Sequence, residues 1–184
     1  MAASLLSTGR ADDADTAFAG TLAYDLYLRP SEAVNLTAAC VVLPARRLSS
    51  QCHFFGVVVH PFVGEFSRAS KTGDLDDTVL CERGDPRRRG TGKLLHSLHR
   101  RACRRKSRLL LPSLSLPIYE VKVRLAGERC GLAALQATPH MLRHGGPSTD
   151  VLLKCKNIQD VQSHGRWRSD RSVSRYENMV AYFA

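Results

Sequence analysis

The chain has 184 residues, 43% hydrophobic and 24% charged, enough apolar content for the core of one globular domain. Its 27 Lys and Arg against 17 Asp and Glu give a formal net charge of +10, which suits a polyanionic partner, nucleic acid before an anionic membrane surface. No stretch approaches the roughly 18–20 apolar residues of a membrane span, and the start, MAASLLSTGRADDADTAFAG, turns acidic without an apolar run, which argues against a secretory signal. The expectation is a soluble, intracellular protein in a reducing compartment, nuclear if its source is eukaryotic, with no membrane partner. Six cysteines (40, 52, 81, 103, 130 and 155) are scattered without a C-x-x-C pair. They read as reduced, mostly buried thiols rather than a zinc site.

In chain order, Ala17, Leu22 and Leu26 with polar residues between them predict a helix over 11–28. RPSEAVNL follows, with Pro30 suited to a first helical position and Glu32 to the first turn. HFFGVVVHPF (53–62) is rich in β-branched and aromatic residues and reads as a strand, with DDTVLCE (76–82) as its partner. The polar connection between them, GEFSRASKTGDL, predicts a long-looped hairpin carrying Lys71. The most cationic stretch, 83–108, places Leu94, Leu95, Leu98 and Ala102 on one stripe, so it predicts an amphipathic helix with a basic outer face. On that stretch Arg87, Arg88, Arg89, Lys93, Arg101, Arg104 and Arg105 are candidate phosphate contacts for DNA, of the kind that give sequence-independent affinity.

Another helix is expected after Pro117, ending near Gly131, and Thr138-Pro139 marks a further helix start. Gly145-Gly146-Pro147 predicts a break, followed by a helix from about Ser148 and a last one from about Asp170. The fold class is therefore mainly α (α+β), helices with a small antiparallel hairpin.

His140 and Arg143 in TPHMLRHGG are three apart and share a helix face. A histidine moves protons near neutral pH, and an arginine offers a planar fork to phosphate oxygens. Taken alone the pair is no signal, because H-x-x-R occurs by chance. In context, TPHMLRHG resembles the second signature box of the tyrosine recombinases, the family of phage integrases. That family places a histidine or tryptophan nine positions before a nucleophilic tyrosine, and here Trp167 stands nine before Tyr176 in GRWRSDRSVSRYE. Its first box, an arginine followed three positions later by glutamate, is matched by Arg29 and Glu32 in YLRPSEAVNL. Its hairpin lysine, commonly in a KTG turn, is matched by Lys71 in SKTGDLDDTVL. Within the family, the stretch around Trp167 is most similar to the eukaryotic Crypton-like branch.

The resemblance implies a helical catalytic domain that cleaves and rejoins double-stranded DNA through a covalent 3′-phosphotyrosine, for recombination or integration. Tyr176 would be the nucleophile and Arg29 and Arg143 the phosphate clamp. Lys71 would be the general acid toward the departing 5′ oxygen, and His140 the acceptor of the phenol proton. Trp167 would pack the site, and its indole N–H can donate to phosphate. Glu32 would orient the cations, while His144 packs or hydrogen-bonds rather than reacts. The chemistry suits the residue types. Attack on a phosphodiester gathers negative charge that fixed cations stabilise, and a phenol with a pKa of about 10 needs a base and nearby arginines to ionise. Neither a metal nor another cofactor is implied.

Residues 21–184 are expected to form this domain and 1–20 an N-terminal extension. Only 28 residues precede Arg29 and eight follow Tyr176. A separate core-binding domain is therefore expected to be absent, with other recombinase subunits or a DNA-clamping domain as candidate partners. Two departures from the family stand out: Gly145-Gly146-Pro147 replaces the usual Ser/Thr-containing continuation, and the acidic DLDD follows Lys71. Two alternatives stay open at this point: a remnant that binds DNA without cleaving it, and strand relaxation of the type IB topoisomerase kind.

Overall fold

The computed structural model describes residues 1–44, 54–59, 77–82 and 89–183. A short helix α1 (Ala2–Leu6) leads into α2 (Ala11–Asp25), whose Ala17, Ala19, Leu22 and Ala23 are buried. The helix stops at Asp25, short of the expected Leu28. Tyr27 takes a left-handed φ of +52°, which an L-residue adopts as a single turn and not as helix. The boundary expected at residue 20 falls inside α2, and Leu5, Ala17 and Ala19 before it are buried.

Arg29 is extended and caps α3 (Pro30–Val34). Proline fits here because its missing N–H would have no helical partner in a first turn. Glu32, three residues past the cap, accepts the Arg29 backbone N–H at 2.7 Å, half of a capping box.

The expected hairpin is present as β2 (Phe54–Val59) against β3 (Asp77–Glu82), antiparallel with Val57 opposite Val79. A two-residue strand that the sequence did not signal, β1 (Val41–Val42), adds to β2 and completes the order β1-β2-β3. Strand alternation decides the faces. Val57, Val59, Val79 and Cys81 are buried, while Thr78 and Leu80 on the opposite face are exposed. The tip of the hairpin, with Lys71, lies outside the described residues.

Helix α4 spans Arg89–Arg105 and buries the predicted stripe of Leu95, Leu98 and Ala102. Helix α5 (Leu116–Arg129) buries Tyr119, Val123 and Ala126 at spacings of four and three. These faces close the main core around α2, α3 and the sheet.

The break expected at Gly145-Gly146-Pro147 does not occur. Helix α6 runs unbroken over Pro139–Leu152 with Pro147 inside it, and no helix begins at Ser148. Two local reasons account for this. The residue before a proline avoids helical backbone mainly through its N–H and Cβ, and Gly146 has no Cβ. The two glycines also let α6 lie against α2. A Cβ on Gly146 would meet the Tyr24 carbonyl oxygen at 2.0 Å, and one on Gly145 would meet the Tyr24 ring at 3.0 Å. The hydroxyls of Tyr24 and Thr149 then bond across the contact at 2.5 Å, and Tyr27 Oη donates to Asp150. The missing helix start is at Asn157, whose side chain accepts the Asp160 N–H at 2.8 Å to open α7 (Ile158–Gly165). The last helix, α8 (Asp170–Phe183), begins where predicted.

A second, smaller cluster joins Tyr27, Val161, Val173 and Tyr176, with Val151, Ile158 and Trp167 packed on it. Among the described residues no helix is long and apolar enough to cross a membrane. The expectation of mostly buried thiols is corrected: Cys40 and Cys81 are buried, but Cys103, Cys130 and Cys155 are exposed. Those three sit on the outer side of α4, at the end of α5 and in the turn after α6.

The close approach at Gly146 gives a test. A Gly146→Ala chain gains about 1 kcal/mol of helix propensity but drives a Cβ into a backbone carbonyl that cannot rotate away. We expect net destabilisation of about 2 kcal/mol, a fall in Tm of about 4–8 °C for a chain of this size by circular dichroism.

Candidate active site

Four elements deliver the site: the α3 cap, the first turns of α6, the end of α7 and the middle of α8. The first three meet at Glu32, whose carboxylate has no exposed surface. Arg29 Nη1 donates to it at 3.0 Å, Arg166 Nη2 at 2.7 Å, and Arg143 Nη1 lies 3.8 Å away. Burial pushes the Glu32 carboxyl upward, but Arg166, the Arg29 N–H and Arg143 together hold it below its ordinary range.

Arg143 is the most enclosed of the three cations, with a side chain 4% exposed. Its Nη1 donates to the Tyr27 carbonyl and its Nη2 to the Gly165 carbonyl at 2.9 Å. The Trp167 ring lies over its guanidinium, 4.9 Å from Cζ to centroid, a favourable cation–π geometry. Burial lowers the Arg143 pKa to about 10, with Glu32 pulling upward and Arg166 and Arg29 pushing down, so it stays charged at neutral pH. Arg29, with its side chain 22% exposed, is the more open member of the cluster.

The stretch GRW works as a single turn. Arg166 ends α7 in left-handed backbone, φ +56°, a position that usually goes to glycine and costs another residue about 1–2 kcal/mol. The turn throws the Arg166 side chain back onto Glu32 and the Trp167 ring over Gly165. A Cβ on Gly165 would sit 1.8 Å from Trp167 Cζ3, so the ring reaches Arg143 only because residue 165 has none.

Tyr176 is 1% exposed. Its hydroxyl is hydrogen-bonded to Nδ1 of His144 at 2.5 Å, and its ring centroid lies 5.6 Å from that of Trp167. Burial raises the phenol above its ordinary pKa, with Arg175 and Arg143 partly offsetting this. Burial also lowers His144 to about 4, helped by Arg175, Arg143 and His140. At neutral pH the pair is therefore a neutral phenol hydrogen-bonded to a neutral imidazole.

The structure brings together Arg29, Glu32, Arg143, His144, Trp167 and Tyr176. His140, expected to accept the phenol proton, is exposed in the first turn of α6, and its ring stacks 6.4 Å from that of His144. His144, one turn further along α6, makes the contact instead. Three residues of this region were missed: Arg166, Tyr27 and Arg175, whose guanidinium lies 5.8 Å from the Tyr176 ring centroid. Arg166 left one sequence trace, an arginine between Gly165 and the tryptophan, but nothing in the sequence says that it turns inward.

Of the candidate DNA contacts, Lys93, Arg104 and Arg105 are exposed on α4. Arg87 and Arg88 lie outside the described residues, and Arg89 opens α4 without a described side chain. Arg101 is half-buried and paired, donating to Asp15 at 2.7 Å and to the Leu110 carbonyl at 2.7 Å.

No protein-family model and no curated protein matches the sequence. Among solved structures, the chain is similar to the XerH site-specific recombinase bound to palindromic difH substrate in a post-cleavage complex. The TM-score is 0.63 at 15% identity, over 92% of this chain and 43% of that one. The pre-cleavage complex of XerH with difH gives 0.61 at 16% identity over 91% and 43%. The chain thus spans less than half of the XerH chain and has the fold of a tyrosine recombinase catalytic domain.

Two measurements test the site. In Glu32→Gln the guanidiniums lose their shared buried counter-charge, and we expect destabilisation of about 3–5 kcal/mol, read as a large fall in urea midpoint. For His144 the folded state holds the neutral ring down to about pH 4, whereas the unfolded chain takes up a proton near its ordinary value of 6.5. The unfolded state then binds more protons in between, so stability is present above 6.5 and lost as pH falls toward 4. Tm should fall through that window, and His144→Gln should flatten the fall.

Proposed function

We propose that the chain is the catalytic part of a site-specific DNA recombinase, cleaving and rejoining strands through a 3′-phosphotyrosine. The observation that carries this reading is the cluster of cations around Glu32. Three guanidiniums gather on one buried carboxylate, near a tyrosine hydroxyl that is hydrogen-bonded to an imidazole. A phosphodiester and an attacking phenolate would bring the negative charge that such a cluster attracts. The fold likeness to a recombinase in complex with DNA supports the same assignment.

In this reading Tyr176 Oη attacks phosphorus, and the bond from phosphorus to the 5′ oxygen breaks. Arg29 and Arg143 hold the non-bridging oxygens, where negative charge grows in the transition state. The phenol proton passes to His144 Nδ1, and His140, exposed next to it, is the onward step to solvent. Lys71, matched in sequence to the family's hairpin lysine, protonates the leaving 5′ oxygen. Reversal of the same steps by another 5′ hydroxyl rejoins the strand, so integration into a second duplex uses no further chemistry. Lys93, Arg104 and Arg105 on α4 supply phosphate contacts along the duplex. Other subunits, or a domain clamping the opposite face of the DNA, complete the assembly.

A second reading, a module that binds DNA without cleaving it, is favoured by one observation. Tyr176 and Arg143 are both closed off from solvent, 1% and 3% exposed. Covalent trapping separates the two. On 5′-labelled duplexes of randomised sequence, nicked so that the released 5′-hydroxyl fragment diffuses away, the chain should retain label through denaturation. Tyr176→Phe should abolish that label while leaving DNA affinity unchanged. DNA bound without label in the unmodified chain would leave the binding module as the surviving reading, and relaxation of a supercoiled plasmid would identify type IB topoisomerase-like strand relaxation. Replacing Lys93, Arg104 and Arg105 with Ala should reduce the salt slope of duplex binding by about 0.9 for each phosphate contact removed.

A further inference from the structure

We infer that Arg166 is a positioning residue of the strand-cleavage site, fixing Glu32 so that the carboxylate sets the aim of both Arg29 and Arg143. The inference rests on the catalytic reading given above, and it adds a cation that the sequence pattern did not single out.

Three observations converge on it. Arg166 makes the shortest guanidinium contact to Glu32 of the three arginines, 2.7 Å from Nη2 to Oε2, with Nη1 at 3.4 Å from Oε1. Its side chain is 8% exposed, so the guanidinium faces the carboxylate rather than solvent. Its backbone stands in left-handed geometry at the helix end, where glycine would be unstrained. An arginine held there marks its side chain as the reason for the choice, because local strain that persists at a site is commonly tied to its function.

The geometry shows how the aim is set. Glu32 has two oxygens. Oε1 takes Arg29 and Oε2 takes the Arg29 backbone N–H, while Arg166 reaches both and Arg143 approaches Oε2. Without Arg166 the carboxylate keeps its two bonds from Arg29 but loses the guanidinium that spans both of its oxygens. Arg143 is held on its other side by the Gly165 carbonyl, next to Arg166 in the chain, so the turn that places Arg166 also places the Arg143 support. A phosphate clamp that drifts by about 1 Å loses rate on the order of 10²-fold without losing the charge that binds DNA.

Arg166→Gly is the informative variant, since it removes the guanidinium and relieves the backbone at once. Arg166→Asn, which also tolerates left-handed geometry, guards against a folding defect peculiar to glycine. Both would be compared with the unmodified 184-residue chain on the nicked, 5′-labelled duplexes at saturating DNA. We expect single-turnover labelling to slow by about 10²-fold with duplex affinity within twofold of the unmodified chain. Arg166→Lys should restore part of the rate, and the Glu32 carboxyl, followed by carbon NMR, should titrate at higher pH in Arg166→Gly. Labelling as fast as in the unmodified chain, in either variant, overturns the inference alone. A loss of affinity that accounts for the whole loss of labelling also overturns it, since Arg166 would then be a DNA contact. An unmodified chain that takes no label overturns the catalytic reading and this inference with it.

Discussion

A carboxylate with no exposed surface must find counter-charge inside the protein, and Glu32 finds it in Arg29, Arg143 and Arg166. These arginines come from the α3 cap, α6 and the end of α7, so one buried charge ties together segments more than a hundred residues apart. Removing water makes each attraction stronger and each unpaired group more costly. The carboxylate therefore fixes the relative position of its cations more tightly than surface pairing could. It also lets three like charges sit together.

Around this centre, close backbone approach does the positioning. Gly145 and Gly146 let α6 reach the α2 backbone, and Gly165 lets Trp167 fold onto Arg143. The Tyr24–Thr149 and Tyr27–Asp150 hydrogen bonds hold the first of these contacts in register. The proline in α6 survives for the same reason: the lost backbone hydrogen bond is a local cost, and the packing of α6 on α2 outweighs it. Tyr27 belongs to both arrangements, since its carbonyl accepts from Arg143 and its ring packs 6.0 Å from that of Trp167. The helix pair that organises the fold thus also orients the cationic site.

The resting site is closed. Tyr176 is a neutral phenol on a neutral His144, with the Trp167 ring nearby, and Arg143 donates to the Tyr27 and Gly165 carbonyls. Burial keeps both the phenol and the imidazole uncharged. Exposed basic residues also stand on α4, at Lys93, Arg104 and Arg105.

The sequence by itself determined the helices and hairpin whose signals are local: alternation in β2 and β3, the apolar stripe of α4, and the proline starts of α3, α5 and α6. It also determined which six positions are read as the site, because Arg29, Lys71, His140, Arg143, Trp167 and Tyr176 fit an ordered pattern. Lys71 lies outside the described residues, and the other five fall in one region with His140 at its edge. What only the tertiary structure decided depends on contacts between distant segments. The helix runs through Gly145-Gly146-Pro147 because α2 lies against it, and Arg101 turns inward because Asp15 is there. His144 rather than His140 meets Tyr176 because α8 crosses α6 at that turn, and Arg166 joins the site because a left-handed residue aims it at Glu32. Local spacing encodes which face a side chain takes on its own element, but only packing decides what stands opposite that face.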